Sequence, residues 1–445
     1  MQHSAARDHG EPAPRDRPPS PPLHVVMVAL GSSGDVHPFI GVGRALRRRG
    51  HAVTLAAAGW FRDVVERAGL AFVDPCPEID FVTEIGDPAL WQPWRGTRLV
   101  FDVFARPLVE PVWRLVTEML AADRAAGRRT VVAASTLALG ARVARETHRF
   151  PLVTVHLSPA LVRGGEPGPR IPGLLVHRGP EWFRALQWAL ADRLLVDRAV
   201  GRWLFPFRAR FGLAPVCGIF REWMHSPDRV LGMFPEWIVS PGADIPDAMR
   251  CTGFPLYSEE GVSDASAEVE RFLAEGTPPI LFTPGSANVH GRAFFTAAAE
   301  ACQRLGRRGL LLTRFPEQIP AVLPPGVRHV DFVPFRWLVP RAAALVHHGG
   351  VGTLAQGLAA GVPQVVMPMG FDQFDNAARL ERLGVGAVLA RRAFRGPRLA
   401  ATLGRLLDDP SVAARAAEIA ARLSPEDGVA RAADEVEAAA GLTPP

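Results

Sequence analysis

Residues 346–386 read VHHGGVGTLAQGLAAGVPQVVMPMGFDQFDNAARLERLGVG. An apolar run that ends at Val346 predicts a buried strand, and the Gly-Gly-x-Gly-Thr turn after the two histidines predicts the start of a helix. Backbone N–H groups and the positive end of that helix then converge beside His348, and such a site suits a diphosphate. The glycines could also serve only to make a tight turn from strand to helix.

A second loop in the same stretch carries polar side chains. The run PQVVMP predicts a strand, and Asp372, Gln373 and Asn376 follow it. Because parallel strands of an open sheet present their carboxyl ends at one edge, we expect these side chains beside the glycine turn. Carboxylate and amide groups suit the hydroxyls of a sugar.

Short apolar runs alternate with helix-length stretches in both halves of the chain. The predicted strands are LHVVMVAL, AVTLAAA, TVVAAS, LVTVHL, PILFTPGS, GLLLT, VRHVDFVP, AALVHHGG and PQVVMP. This alternation of strands and helices predicts an α/β fold with two Rossmann-like domains, each a doubly wound parallel sheet, facing across a cleft.

Composition shifts along the chain suggest domain boundaries. The predicted units are a disordered tail at 1–22, an N-terminal Rossmann-like domain at 23–240, a linker at 241–275, a C-terminal Rossmann-like domain at 276–410 and C-terminal helices at 411–445.

Composition and charge exclude several classes of protein. The 445 residues include 50 basic and 45 acidic residues, and every basic residue is arginine, which indicates a GC-rich genome. Most arginines are interleaved with acids, so nucleic acid is not an expected partner. Cys76, Cys217, Cys251 and Cys302 are too far apart for a zinc motif. With no apolar run of transmembrane length and no signal sequence, the expected location is the cytoplasm.

The motifs HHGGVGT, AAGVPQVVMP, DQFDNA and RLGVG resemble the donor-binding signature of family 1 glycosyltransferases with the GT-B fold. The resemblance implies a hexosyltransferase with a nucleotide-sugar co-substrate and no other cofactor. It assigns the C-terminal domain to the donor and the N-terminal domain to the acceptor. The residues implied at the donor phosphates are His348, Gly350, Gly352, Thr353 and Ser286, and those at the donor sugar are Asp372 and Gln373.

The same resemblance implies that the segment DFVPF binds the nucleotide base of the donor. Phe332 and Phe335 stand where Trp and Gln are usual in the family, on either side of Val333. Members that use UDP-sugars often carry Glu at the position of Gln356, where it accepts both ribose hydroxyls. An amide loses those charge-assisted bonds, which favours a dTDP-sugar. Gln356 could equally be a surface residue of its helix.

A second motif follows the first predicted strand. The glycines of GSSGDVHPFIGVGRALRRRGH do not fit the G-x-G-x-x-G spacing, which disfavours a nicotinamide enzyme. The stretch GDVHPFIGVGRALRRRGHAVTL instead resembles the opening of the same glycosyltransferase family, in the version found in rhamnosyltransferases, sterol glucosyltransferases and glycopeptide glycosyltransferases.

In that version the aspartate of Gly-Asp-Val is the candidate general base, which here is Asp35. An alcohol is a poor nucleophile until its proton is removed, and an aspartate near pKa 4 is a weak base for that step. Either burial raises the pKa of Asp35 or the proton transfer is late. Asp35 could instead serve only to cap the helix that follows. His37 is the alternative base, and His156 either lines the cleft or belongs to the core.

The expected acceptor is lipophilic, because the N-terminal domain carries many aromatic side chains. They are Trp91, Trp94, Phe101, Phe104, Trp113, Trp182, Trp188, Trp203, Phe205 and Phe207. Residues 178–213 hold seven arginines and three acidic residues, with Trp182, Leu186, Leu190 and Leu194 at helical spacing. This segment could touch the inner face of an anionic membrane, or it could be a solvated helix face over a packed core.

The chain has no D-x-D motif for a metal-bridged diphosphate. The expected reaction is therefore metal-independent and inverting, with a sugar such as rhamnose from dTDP-L-rhamnose moved to a hydroxyl of a lipid, hydroxy fatty acid or polyketide. The alternatives are a nucleotide-sugar epimerase and a non-catalytic accessory protein that binds nucleotide sugars or lipids.

Overall fold

The computed structural model describes residues 22–78, 86–170, 177–240, 242–259, 267–423 and 427–441. The predicted tail at 1–22 lies outside the described residues, apart from Pro22. Parts of the predicted linker, residues 241 and 260–266, also lie outside them.

The first sheet has seven strands, all paired in parallel, in the order β3-β2-β1-β4-β5-β7-β9. Its strands are β1 Leu23–Val28, β2 Ala52–Ala56, β3 Ala71–Val73, β4 Arg129–Ser135, β5 Leu152–His156, β7 Arg229–Gly232 and β9 Met249–Cys251. Both faces are covered by helices, and for that reason β1 is buried along its whole length. A separate antiparallel pair joins β6 Arg163–Gly164 to β8 Ala243–Asp244.

The second sheet has six parallel strands in the order β12-β11-β10-β13-β14-β15. They are β10 Ile280–Thr283, β11 Gly309–Leu312, β12 Val327–Val330, β13 Ala344–His347, β14 Gln364–Val366 and β15 Gly386–Val388. The two doubly wound sheets confirm the predicted fold class. All nine predicted strands form.

Helices connect the strands of both sheets. In the first half they are α1 Ser33–Arg48, α2 Arg62–Arg67, α3 Pro93–Leu99, α4 Val109–Ala125, α5 Leu139–Thr147, α6 Glu181–Ala191 and α7 Asp197–Ala209. In the second half they are α8 Ala267–Ala274, α9 Arg292–Leu305, α10 Phe335–Leu338, α11 Val351–Ala359, α12 Gln373–Leu383, α13 Gly396–Asp408, α14 Pro410–Leu423 and α15 Gly428–Ala440. Among the described residues, no helix is long and apolar enough to cross a membrane.

The last helix crosses back to the first sheet. Ala432, Ala433 and Val436 of α15 are buried in the same core as α1. Glu437 accepts a hydrogen bond from Arg49 at 2.8 Å and lies 2.7 Å from the Nε2 atom of His51. The first half of the chain therefore needs its last described helix to complete one face.

A buried ion pair also joins the two halves of the chain. The Asp375 carboxylate and the Arg379 guanidinium of α12 lie 2.5 Å apart, and both side chains are almost fully buried. Arg379 donates to the carbonyl oxygens of Ile238 and Pro159, and the backbone N–H of Arg170 donates to Asp375 at 2.9 Å. The pair is thus shared between the second sheet and loops of the first.

Candidate active site

A cavity of about 1740 Å³ lies between the carboxyl ends of the two sheets. Loops after β1, β4 and β5 form one wall, and loops after β10, β11 and β13 form the other. Every residue that the family resemblance assigns to catalysis or to donor binding lines this cavity, whereas Asn376 and His156 do not. The fold places a ligand site at this position because the strand order reverses there in each sheet.

Asp35 lies at the start of α1, where its side chain folds back on the turn. Its Oδ2 atom accepts a hydrogen bond from the backbone N–H of Ser32 at 2.7 Å and from the Ser32 hydroxyl at 3.0 Å. Gly31 has a φ of 133°, and a Cβ atom there would overlap the Asp35 carboxylate. The prediction that Asp35 is the N-cap residue is wrong, because the helix begins at Ser33 and its N-cap is Ser32. Asp35 is the third helical residue, accepts from the Ser32 N–H in a capping box, and also lines the cavity.

The environment of Asp35 suits a base. The pKa of Asp35 is raised to about 6, because burial, with a smaller contribution from the charge of Asp372, outweighs the hydrogen bonds from Ser32 that lower it. A carboxylate with this pKa accepts a proton far better than one near its ordinary value and is still mostly ionised at neutral pH. The condition set by the sequence, that burial raises the pKa, is met.

His37, the alternative base, has a carboxylate partner. Its Nε2 atom lies 3.1 Å from Oε1 of Glu259, which is buried. Burial alone would raise the pKa of Glu259, but the hydrogen bond and charge of His37 and the charge of Arg314 lower it. The Arg314 guanidinium is 3.9 Å from the same oxygen atom. Glu259 thus links His37 of the first half to Arg314 of the second.

His348 follows β13 and is held between two glycines. A Cβ atom on Gly285 would approach the imidazole to 2.6 Å, and one on Gly350 would approach it to 2.5 Å. Burial lowers the pKa of His348 to about 4, and its Nδ1 atom is buried without a hydrogen-bond partner among the described residues. The imidazole is therefore neutral near pH 7 and can offer an N–H group to an anion.

The start of α11 lies beside this imidazole. Gly350 is the N-cap residue, and the N–H groups of the first helical turn have no acceptor within the helix. Around Gly352 there is open space, because a Cβ atom would meet nothing within 4 Å. Thr353 and the exposed Ser286 line the same part of the cavity. The glycine turn therefore presents donors as well as turning the chain.

Asp372 and Gln373 begin α12 and have different partners. The Asp372 carboxylate accepts from the Asn376 amide at 2.9 Å and from the Ser158 hydroxyl, and burial raises its pKa. The Gln373 carbonyl oxygen accepts from the backbone N–H groups of Met369 and Gly370 at 2.8 and 3.1 Å. Gln373 therefore shapes the loop with its oxygen and leaves its amide N–H groups to donate.

The segment predicted at the nucleotide base lines the cavity near β12. The guanidinium of Arg314 lies over the Phe332 ring, 4.6 Å from its centre. Val333 is buried and Phe335 is half-buried. The Gln356 amide donates to the carbonyl of Tyr257 at 3.5 Å. Gln356 is a cavity residue and not a surface residue of its helix.

The aromatic residues predicted for the acceptor fall into three groups. Trp91, Phe101, Phe104, Trp188 and Phe205 line the cavity. The rings of Trp113, Trp203 and Phe207 pack in the core. Trp182 is 69% exposed, and the side chain of Trp94 lies outside the described part of the chain.

The basic segment 178–213 forms α6, a π-helical turn at Asp192–Val196, and α7. Its apolar side chains at helical spacing do not pack inward. Trp182, Leu186, Leu190 and Leu194 are each about half or more exposed. The prediction of a solvated polar face over a packed core is wrong for α6, whose apolar side faces outward.

His156, considered as a cleft residue or a core residue, is fully buried and does not line the cavity. Its Nδ1 atom lies 2.9 Å from the Thr136 hydroxyl, and its ring meets that of His225 edge-on at 5.0 Å. Burial, with the nearby His225, lowers the pKa of His156 to about 3. His156 is a neutral core residue.

Glu259, Arg314 and Ser158 are cavity residues that the sequence did not single out. Each lies in a loop without a recognisable motif, and each acquires its partner from a distant part of the chain. Among the described residues, no group of three or more His, Cys, Asp or Glu side chains could hold a metal ion.

Comparison with known proteins agrees with the predicted fold. A model of the glycosyltransferase family 28 N-terminal domain matches residues 25–159. A model of the C-terminal domain of proteins like erythromycin biosynthesis protein CIII matches residues 314–438. The two matches cover the Asp35 loop and the loops of His348 and Asp372.

One curated relative is the O-mycaminosyltylonolide 6-deoxyallosyltransferase of Streptomyces fradiae, which is 31% identical over 93% of this chain and 97% of its own length. Among solved structures, the glycotransferase of kitacinnamycin has a TM-score of 0.71 and 23% identity over 94% of this chain and 100% of its own. The spinosyn rhamnosyltransferase SpnG complexed with thymidine diphosphate has a TM-score of 0.66 and 20% identity over 93% and 100%.

The relative that matches this chain over nearly its full length indicates the kind of reaction, which is the transfer of a sugar. The similar solved structures show the GT-B fold. A transferase explains a cavity shared by two Rossmann-like halves, whereas the epimerase and accessory-protein alternatives find no support among these relatives. The chain therefore belongs to the GT-B glycosyltransferases, enzymes that transfer a sugar from a nucleotide-sugar donor.

Proposed function

We propose that this enzyme moves a sugar, with inversion at the anomeric carbon, from a nucleoside diphosphate to a hydroxyl of a lipophilic acceptor. The observation that carries the proposal is the position of Asp35, with a pKa raised to about 6, in the same cavity as the His348 loop. A base and an anion site on facing walls are the two groups that direct displacement requires.

In this mechanism Asp35 takes the proton from the acceptor hydroxyl as the new C–O bond forms. The bond from the anomeric carbon to the diphosphate oxygen breaks on the opposite face, and the bonding electrons leave with the nucleoside diphosphate. Attack opposite the leaving group inverts the configuration. No metal takes part in this scheme, because the N–H groups at the start of α11 and the neutral His348 imidazole receive the developing charge.

Two further groups would hold the donor. Asp372, with Asn376 and Ser158 around it, would accept from sugar hydroxyls, and the Gln373 amide would donate to them. Because Asp372 also raises the pKa of Asp35, a cationic or hydroxyl-rich sugar bound between them would alter the basicity of Asp35.

We infer that the donor is a dTDP-sugar, with rhamnose as a candidate sugar. Gln356 offers a neutral amide beside Tyr257 where a carboxylate would bind two ribose hydroxyls more strongly. One structural neighbour is a rhamnosyltransferase complexed with thymidine diphosphate. Stabilisation by dTDP but not by UDP in a thermal-shift assay supports this inference, and preference for UDP contradicts it.

We propose that the acceptor is a lipid or polyketide and occupies the part of the cavity lined by aromatic rings of the first half of the chain. Trp91, Phe101, Phe104, Trp188 and Phe205 line the cavity, and apolar rings of this kind bind by burial of area. The Streptomyces relative is named for transfer to O-mycaminosyltylonolide, which suggests polyketide acceptors as the first to test.

The experiment that tests the catalytic assignment is the turnover of Asp35→Asn and His37→Gln with donor and an acceptor panel. We expect Asp35→Asn to reduce kcat by at least about 100-fold, because general base catalysis contributes on that scale, with donor binding retained. The His37→Gln variant is the matched comparison, since it removes the other candidate base. Near-normal turnover of Asp35→Asn with a large loss in His37→Gln would transfer the role to the His37–Glu259 pair.

We also propose a cytoplasmic enzyme that contacts the inner face of the membrane through α6. The exposed Trp182, Leu186 and Leu190 form an apolar stripe on a segment rich in arginine. Sedimentation with anionic but not neutral vesicles, reduced in Trp182→Ser, supports this contact. Equal recovery of the wild-type enzyme and the Trp182→Ser variant in the supernatant contradicts the proposed membrane contact.

We also propose that the boundaries of the domains lie at 22/23, 240/241, 275/276 and 410/411. Strand β9 belongs to the first sheet although it lies within 241–275. Limited proteolysis at the exposed stretches between the halves tests these boundaries.

A further inference from the structure

One face of α7 turns toward the cavity and carries both charge and apolar surface. Arg198, Arg202 and Phe205 of α7, with Leu194 of the π-helical turn before it, recur at intervals of three or four residues, a spacing that groups them on one side of the helical segment. All four line the cavity, and both arginines are exposed at its mouth.

The surroundings of this face are apolar. Phe101, Phe205 and Phe220 pack in one apolar cluster and line the cavity, and Phe101 meets Phe220 edge-on with ring centres 5.2 Å apart. The two guanidinium groups therefore share the lining of the cavity with an aromatic cluster. An arrangement of this kind matches a molecule with one apolar part and one anionic end.

The carboxylates near these arginines are already engaged elsewhere. Asp197 accepts from the backbone N–H groups of Gly218 and Ile219 at 2.8 and 2.9 Å. Asp192 pairs with Arg163, whose Nη2 atom is 2.8 Å from Oδ1. Among the described residues, no carboxylate oxygen lies within 4.0 Å of the guanidinium groups of Arg198 or Arg202.

Arg163 differs from Arg198 and Arg202 because its charge is already paired. It also lines the cavity, but Asp192 neutralises it and its guanidinium lies over the Trp188 ring, 4.3 Å from the ring centre. Its hydrogen-bonding groups are used within the fold. Arg198 and Arg202 have their charges available to a ligand.

The donor does not account for these two charges. Its diphosphate site is built from the loop of His348 and the start of α11, which belong to the second sheet. The arginines belong to α7, which packs in the core of the first half with Val200 and Leu204. They lie on the wall assigned to the acceptor.

We propose that Arg198 and Arg202 bind an acidic group, a carboxylate or a phosphate, on the acceptor itself, so that the acceptor is an anionic amphiphile. This inference rests on the proposed transferase function. The guanidinium pair would hold the acidic end at the mouth while the apolar body lies along Phe101, Phe104 and Phe205, with its hydroxyl directed inward to Asp35.

The test compares binding of 3-hydroxydecanoic acid and its methyl ester by calorimetry at neutral pH. The two probes share the apolar chain and the hydroxyl and differ in the charge. We expect the wild-type enzyme to bind the acid at least about tenfold more tightly than the ester, because a charge-assisted bidentate contact is worth that much. In the double variant Arg198→Gln/Arg202→Gln the two affinities become equal.

The matched control is Arg392→Gln/Arg398→Gln, which removes the same charge at two exposed arginines outside the cavity. It should keep the tenfold preference. Equal affinity of the wild-type enzyme for acid and ester, or no saturable binding of either, overturns the proposal. So does loss of the preference in the control variant.

A vesicle experiment distinguishes recognition of an acceptor from recognition of a lipid surface by the two arginines. If the double variant loses binding to phosphatidylglycerol vesicles while the wild-type enzyme does not distinguish acid from ester, the arginines recognise lipid headgroups and the proposal is wrong. Binding of dTDP, measured on the same samples, reports donor binding independently. A failure of the acceptor inference therefore differs from a failure of the proposed function, which Asp35→Asn turnover tests.

Discussion

Asp35 is held by opposing influences at the scale of a single side chain. Burial and the charge of Asp372 favour the protonated carboxyl, while two hydrogen bonds from Ser32 favour the ionised form. Burial wins, and the pKa settles at about 6. A carboxylate kept ionised against this preference at neutral pH lowers the stability of the folded state.

We therefore predict that Asp35→Asn stabilises the enzyme while it lowers turnover. The folded-state pKa lies above the ordinary value of 3.8, so the wild-type protein gains stability relative to the variant as the pH falls through about 6. At pH 8 the variant should be more stable by about 1–3 kcal/mol, and below about pH 4 the difference should vanish. Urea denaturation at both pH values measures this.

The control is Asp63→Asn, which neutralises an exposed carboxylate of α2 and should leave the free energy of unfolding within about 0.5 kcal/mol. An Asp35→Asn protein that is no more stable than wild type at pH 8 would show that solvent reaches the carboxylate.

The position of His348 depends on the absence of a side chain at Gly285. We predict that Gly285→Ala weakens nucleotide binding by at least about tenfold, because its Cβ atom would meet the imidazole at 2.6 Å and push it from the phosphate site. Gly285 also has a φ of 93°, which alone costs stability in an alanine variant.

Gly306→Ala separates the two effects. Gly306 also has a positive φ, 58°, but a Cβ atom there would meet nothing within 4 Å. Both variants should lose similar stability, and Gly285→Ala alone should lose affinity for dTDP in calorimetry. Equal affinities would mean that His348 does not contact the nucleotide.

Single residues also show what the sequence can reveal. His348 and Asp372 stand in contiguous motifs directly after strands, so their convergence follows from the topology of a parallel sheet. Glu259 and Arg314 have no such context, because their roles arise only when each meets a residue from another part of the chain. Gln356 could not be placed from helical spacing alone, since its neighbour Tyr257 is distant in sequence.

At the scale of the element, the apolar run around a strand decides whether the sequence predicts it. The strands that the sequence predicts are apolar runs bounded by glycine, proline or polar residues, as in β1 and β10. In the two main sheets, the sequence does not predict β3, which has three residues, nor β7, β9 and β15, in which glycine or arginine interrupts the apolar run. Their pairing is set by the sheet they extend.

Helix α6 shows the opposite difficulty. Its spacing of Trp182, Leu186 and Leu190 predicts an apolar stripe, and the stripe exists. Helical periodicity says which residues share a face, but it does not say whether that face meets the core or the solvent.

The packing of α15 gives a prediction at this scale. Val436→Ala should lower the free energy of unfolding by about 1–3 kcal/mol, because Val436 is almost fully buried against the core of the first half. Val322→Ala, at a side chain that is 85% exposed, should change it by less than about 0.5 kcal/mol. Urea denaturation of both variants provides the comparison, and equal effects would mean that α15 is not docked in solution.

At the scale of the molecule, the two sheets are tied together by the Asp375–Arg379 pair. Arg379 is buried and bonds to Pro159 and Ile238 of the other half. The sequence could not reveal this contact, because the two residues lie on one helix and look like an ordinary pair at spacing four, while their other partners are far away in the chain.

We predict that Arg379→Met destabilises the protein by about 3–5 kcal/mol, because it leaves the Asp375 carboxylate buried without its cation. Unfolding of the two halves should also separate in temperature, which calorimetry would detect as two transitions. Arg304→Met breaks an exposed pair with Glu300 on α9 and should cost less than about 1 kcal/mol. A single transition with little loss in Arg379→Met would show that the halves are joined mainly by other contacts.

The return of α15 to the first sheet has a consequence for synthesis. Roughly 400 residues separate β1 from α15. At about 5–20 residues per second, the ribosome delivers that helix about 20–80 s after β1 has emerged. Until then the face of α1 that Ala432, Ala433 and Val436 later cover stays open. The nascent N-terminal half therefore exposes an apolar face throughout the translation of the second half, and we expect a truncated chain that ends before Gly428 to accumulate in inclusion bodies.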